Sequence, residues 1–251
     1  MKTILALITL LYLPLANNTI ADRFKAPSGY TVAKTESGSF AHWLQTLALK
    51  PAGTPAKTYK GDIARTDVYT AAIIDMSIGS RDLQQCADAV IRVRAEYLYS
   101  KQNHKGISFN FTSGFKCDWV HYANGYRYAN ERWVLKGKKD YGHDNFLRYL
   151  TLVFSYAGTL SLDKELKTVG NADQLQIGDV FIKGGSPGHC FIVLNVATNS
   201  QNKKVFLLAQ SFMPAQNIQV LQDQHGPWFS LDKQANIPYG ELVDKKYLKR
   251  F

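Results

Sequence analysis

The sequence predicts an α+β fold, with N-terminal helices packed on a C-terminal antiparallel sheet. Three observations carry that expectation. Apolar residues recur at steps of three and four between residues 83 and 97, and residues 146–157 are apolar nearly all round. From residue 179 onward the chain changes to short runs of Val, Ile, Leu and Phe divided by turn residues. Helical and strand patterns occupy separate stretches of the chain, which is the α+β arrangement.

Residues 1–21 read as a secretory signal peptide. Lys2 precedes the apolar run 4–13, and the small and polar residues Asn17-Asn18-Thr19-Ile20-Ala21 lead to the charged Asp22-Arg23. The apolar run is too short to span a bilayer, which takes about 20 residues. The expectation is an exported protein, periplasmic or extracellular, whose residues 22–251 form a single α+β domain. Removal of the leader leaves 230 residues and lowers the formal charge from +10 to +9, because Lys2 is its one charged residue. No later apolar stretch is long enough for a transmembrane segment.

Within that domain, residues 40–47 suit a short helix, and Pro51 and Pro55 bracket a loop. Residues 68–76 suit a strand or a buried helix equally. The clearest helix has Ser80 as N-cap, Asp82 in its first turn, and Leu83, Cys86, Ala87, Val90, Val93 and Tyr97 on its apolar stripe. On that stripe Cys86 reads as a small buried hydrophobe. Residues 107–112 alternate as a strand does, and Cys117 follows the Ser113-Gly114 turn at the expected start of a short helix. Residues 129–144 are polar and basic and suit a surface excursion. A shorter helix is expected from Leu162 to Val169, and strands over 179–183, 189–196, 204–210 and 216–221.

Three cysteines follow the leader, so at least one thiol is free or pairs outside the chain. No Cys-x-x-Cys or His-x-x-x-His spacing occurs, so neither a metal nor another cofactor is expected. The positive charge suits anionic partners such as envelope polymers, or is simply a scatter of solubilising side chains. No nucleic-acid-binding motif is present.

The chemistry-bearing stretch is Gly178-Asp179-Val180-Phe181-Ile182 through Gly188-His189, a strand, a glycine-rich turn and a second strand opened by a histidine. A hairpin turn centred near Ser200 and Gln201 sets residue 191 opposite residue 210. His189 and Gln210 then share a face, and Gln210 can fix the imidazole tautomer. Cys117 is the expected nucleophile, because a helix N-terminus favours thiolate and offers N–H groups to an oxyanion. Cys190 points to the opposite face from His189. Separately, Trp119, Tyr126, Arg127 and Trp133 interleave aromatic and basic side chains and are candidate substrate-binding residues.

Several blocks together resemble an uncharacterised exported bacterial family of the DUF4846 type. They are Asp82-Leu83-Gln84-Gln85-Cys86-Ala87-Asp88-Ala89-Val90, Phe111-Thr112-Ser113-Gly114, Phe154-Ser155-Tyr156-Ala157-Gly158-Thr159, the Gly178 to His189 stretch, and Leu207-Leu208-Ala209-Gln210-Ser211-Phe212. That resemblance implies no activity. A weaker, local one, through Gly178-Asp179 and Gly188-His189, is to papain-like cell-wall hydrolases of the NlpC/P60 and CHAP types. It implies a cysteine hydrolase of cell-envelope peptide or amide bonds, with Cys117, His189 and Gln210 as its catalytic residues. This sequence departs from those families in following Cys117 with Asp118-Trp119 instead of Ser-Gly. The alternative expectation is a non-catalytic envelope-binding module that uses the aromatic and basic stretch 119–136.

Overall fold

A computed structural model describes residues 18–251. Its elements run α1 (Ile20–Arg23), β1 (Tyr30–Val32), α2 (Phe40–Gln45), β2 (Thr70–Ile73), α3 (Cys86–Ser100), β3 (Ser108–Asn110), β4 (Lys116–Asp118) and α4 (Trp119–Ala123). They continue with β5 (Tyr126–Ala129), β6 (Arg132–Leu135), α5 (His143–Tyr156), α6 (Thr159–Glu165), β7 (Lys167–Thr168), β8 (Val180–Lys183), β9 (His189–Asn199), β10 (Lys204–Gln210), β11 (Gln219–Leu221) and β12 (Leu248–Arg250). The fold is α+β, with a large antiparallel sheet and a few helices.

The sheet has the order β2-β11-β10-β9-β8-β12-β7, with β1 joined to the far half of β9. Its centre is β9, buried from His189 to Ala197. A strand covered on both faces reads as a continuous apolar run, as His-Cys-Phe-Ile-Val-Leu does here. On one face Cys190 lies close enough to α3 for the charges of Cys86 and Asp88 to act on it. On the other, Phe212 and Tyr239 pack against the His189 ring, with centroids at 5.3 and 4.8 Å. Asp179, fully buried at the start of β8, is held by the Arg250 guanidinium through contacts of 2.6 and 2.9 Å.

Several boundaries differ from the sequence reading. Residues 1–17 of the expected leader lie outside the described residues, but Asn18–Ala21 belong to the packed fold. Ile20 is fully buried, and Asn18 Nδ2 donates to the Leu49 carbonyl at 2.7 Å. A domain boundary after Ala21 therefore falls inside the core. Helix α3 starts at Cys86, not near Ser80, because the Gln85 N–H donates to the Asp88 carboxylate at 3.0 Å and caps the helix there. Residues 68–76 contain strand β2, and the expected surface excursion contains most of the β5–β6 hairpin. Among the described residues no helix is long and apolar enough to cross a membrane.

Candidate active site

The site forms where β9 begins and β10 ends. His189 Nε2 and Gln210 Oε1 are 2.8 Å apart, and both side chains are buried. Strand register brings them together in a way the turn alone does not. Near the turn Lys204 pairs with Thr198, a register that, continued, would set Gln210 opposite Ile192 and on the wrong face. A bulge at Leu207/Leu208 moves the pairing by one residue, so Ala209 meets Ile192 and Gln210 joins the face of Phe191 and His189.

A buried polar network then fixes the protonation of the ring. Gln219 Nε2 donates to the Thr66 carbonyl at 3.1 Å, and a carbonyl can only accept. Gln219 Oε1 is therefore the acceptor, and it receives Gln216 Nε2 at 2.7 Å and Gln210 Nε2 at 3.4 Å. Gln210 thus presents its carbonyl oxygen to His189, and Nε2 of the imidazole carries the hydrogen. The other nitrogen, Nδ1, is buried, unprotonated and without a partner among the described residues. Burial lowers the imidazole to about 4, against a smaller opposing effect from Gln210, so the ring is neutral at physiological pH.

Cys86, which lies toward the Cys190 side of β9, lines a cleft at this strand end. It opens α3, half-buried, and the backbone N–H groups of Ala87 and of Cys86 itself act to lower its thiol. Burial nevertheless pushes the thiol up to about 11, with the Asp88 carboxylate adding to the effect. The helix start is tied to the end of β10: Ser211 Oγ lies 2.9 Å from the Gln84 carbonyl, and the Ala215 N–H donates to Asp82 at 2.6 Å. A cleft of about 360 Å³ is lined by Cys86, Asp88, Gly188, Met213 and Tyr239, so it reaches from the thiol to the residue before His189 and to the ring covering the imidazole. The thiol and the imidazole are not hydrogen-bonded in the free protein.

The other sequence-predicted site residues lie elsewhere. Cys117 is in strand β4, not at a helix start; α4 begins two residues later with Asp118 as its cap. Its thiol is fully buried and pushed upward by desolvation, and it does not meet His189 Nδ1. That burial and separation leave Cys117 without a nucleophile's access. Trp119 is also fully buried, its Nε1–H donating to His104 Nδ1 at 3.2 Å, so it offers no face to a substrate. Arg127 is spent internally: its Nη1 donates to the Tyr122 and Tyr126 carbonyls, and its guanidinium covers the Tyr122 ring. Tyr126 and Trp133 are half-buried, and both pack against the His121 ring. The sequence reading missed Cys86, Asp88 and the Thr66, Gln216 and Gln219 network. The Gln85-x-x-Asp88 spacing was a signal for the helix start, whereas nothing local marks the network.

Fold and site together define an α+β protein with a tautomer-fixed His–Gln pair at a sheet end, beside a cleft that holds a helix-terminal cysteine. The chain belongs to the family described as "Domain of unknown function (4846)", whose model matches residues 20–249. No curated protein and no solved structure matches it. Among the described residues, no group of three or more His, Cys, Asp and Glu side chains could hold a metal ion.

Proposed function

We propose that this protein is a cysteine hydrolase of peptide or amide bonds, with Cys86 as nucleophile, His189 as base and Gln210 as the residue that orients the base. The observation that carries the reading is the bare, unprotonated Nδ1 of His189. Leaving a buried acceptor unpaired costs about 1–3 kcal/mol, and here a whole network enforces the tautomer that leaves it so. Such an atom suits a proton acceptor that finds its partner when substrate enters, since catalytic hydrogen bonds are often long before binding.

In this reading His189 Nδ1 takes the Cys86 proton as the sulfur attacks the carbonyl carbon. The oxyanion develops against the N–H groups at the start of α3. His189 then returns the proton to the departing amine, leaving a thioester, and next takes a proton from the water that hydrolyses it. Gln210 keeps the ring turned throughout, and Phe212 and Tyr239 shield the His–Gln bond from water. The expected leader and the basic charge favour cell-envelope substrates, in keeping with the local papain-like resemblance.

The test is amine release from a panel of short peptides and N-acyl amides by the full chain and by Cys86→Ser, Cys117→Ser and His189→Ala, each checked for folding by circular dichroism. Activity in the parent and in Cys117→Ser, lost in the other two, is the expected result. Retained activity in folded Cys86→Ser would sink the assignment.

A further inference from the structure

A second cavity, about 200 Å³, lies against the loop that leads into α3. It shares Leu83 and Phe154 with the cleft that holds Cys86. Its floor is apolar, from Leu147, Leu150 and Phe154, and its charged lining is Arg81 and Arg92 with no carboxylate. Cavities of this kind, apolar with a few convergent donors, orient a ligand by its polar end.

Two donors there are left over. Gln84 is buried, and its Oε1 accepts from Arg92 Nη1 at 3.0 Å. Because Arg92 can only donate, the amide cannot be turned round, and Gln84 Nε2 is a buried donor with no partner among the described residues. Arg92 places Nη1 also on the Ser77 carbonyl at 3.1 Å and Nε on Glu96 at 2.8 Å, and Nη2 takes no acceptor among the described residues. Glu96, held by Nε on the same side of the guanidinium as Nη2, is outside the cavity lining, and His143 also meets it. Arg81 is exposed and makes no ion pair among the described residues. A buried amide N–H without an acceptor is costly, and one guanidinium N–H together with an amide N–H suits the two oxygens of a carboxylate.

We propose that this cavity binds a carboxylate of the substrate, so that the substrate class is a peptide or amide bearing a free carboxylate on an apolar body. The assignment rests on the reading of the adjoining cleft as the catalytic one. Gln84 Nε2 and Arg92 Nη2 hold the carboxylate, Arg81 adds charge at the mouth, and the leucines and Phe154 hold the apolar part. Gln84 lies two residues before Cys86, so the same loop fixes the carboxylate and the nucleophile relative to each other.

The experiment uses hexanoate, its uncharged analogue hexanamide, and inorganic phosphate as probes, titrated into the full chain and followed by side-chain amide and guanidinium NMR shifts. Hexanoate is expected to bind about tenfold more tightly than hexanamide, to shift the Gln84 amide signals, and to weaken in the exposed-site variant Arg81→Ala and in Gln84→Met. Equal binding of hexanoate and hexanamide overturns the proposal, as does phosphate binding as tightly as hexanoate, or no binding at millimolar concentration. Binding is read in Cys86→Ser as well as the parent. Retained hexanoate binding with an activity indifferent to Cys86 would remove the catalytic reading, whereas an essential Cys86 without hexanoate binding would remove only the carboxylate site.

Discussion

Replacing His189 with Gln should change how stability depends on pH, and the size of the change follows from the burial of the ring. The imidazole titrates near 6.5 when exposed and at about 4 in the fold. Between those values the unfolded chain binds more protons than the folded one, so stability contributed by the neutral ring is complete above pH 6.5 and is lost as pH falls toward 4. The loss is about 2 kcal/mol at pH 5 and about 3 kcal/mol at pH 4. Two carboxyls act in the opposite sense over overlapping ranges, because burial raises Asp88 to about 8 and Glu165 to about 7. Their protonation on acidification favours the fold, and a bare pH–stability curve would mix the three. The informative quantity is the difference between parent and His189→Gln, in which Asp88 and Glu165 cancel. Urea unfolding of both proteins between pH 4 and 8 measures it. A parent that loses about 2–3 kcal/mol relative to the variant supports the buried neutral ring. A difference flat with pH, or an imidazole NMR signal titrating near 6.5, would refute the reasoning.

Two further outcomes follow from the same site. Gly188→Ala would bring a Cβ to 2.4 Å from both the Gly185 carbonyl oxygen and Thr159 Oγ1, and 2.9 Å from the Lys183 carbonyl oxygen. It should destabilise the protein by about 1–3 kcal/mol in urea unfolding, and an unchanged midpoint would show that the turn gives way freely. Alkylation of Cys86 by iodoacetamide, followed by mass spectrometry, should rise about tenfold per pH unit from pH 7 to 9, because its thiol titrates at about 11. A rate already at its plateau at pH 7 would instead mark a thiolate–imidazolium pair in the free protein.

The strand positions and the shared face of His189 and Gln210 were legible because a buried strand shows its period and length directly. Even so, the facing of Gln210 depends on the bulge at Leu207/Leu208, which shifts the register by one residue between the turn and the site. The extra residue is Leu194, and nothing in the apolar run of β9 announces it, so the sequence argument reached the right pairing through a turn whose own register is one residue different. The start of α3 was misplaced for a related reason. Extending the apolar stripe back to Ser80 made Cys86 an interior position, whereas the Gln85–Asp88 cap starts the helix at the cysteine itself. Periodicity locates the middle of a helix well and its ends poorly, and the end is where a cysteine's chemistry is decided. Composition cannot tell a ring in the core from a ring in a groove, and Trp119 is in the core, enclosed by five aromatic neighbours, Tyr99, Tyr122, Tyr141, Phe146 and Tyr149.

The polar network behind His189 argues against a purely structural role for the histidine. Thr66, Gln210, Gln216 and Gln219 spend buried amides and a hydroxyl on one outcome, the hydrogen on Nε2. Apolar side chains of similar size would pack this sheet face at no desolvation cost, and a structural histidine would gain from a donor placed at Nδ1. The structure instead pairs the Gln210 and Gln219 amides and leaves the terminal acceptor bare. A neutral ring with a fixed tautomer cannot hold a thiolate by charge, so the proposed mechanism requires Cys86 to lose its proton in step with bond formation to the substrate. In that proposal the helix N-terminus serves the oxyanion, which exists only in the transition state and intermediates, more than a resting thiolate. Burial sets both groups neutral, the thiol at about 11 and the imidazole at about 4, and the proposed concerted proton transfer is the route consistent with that pair.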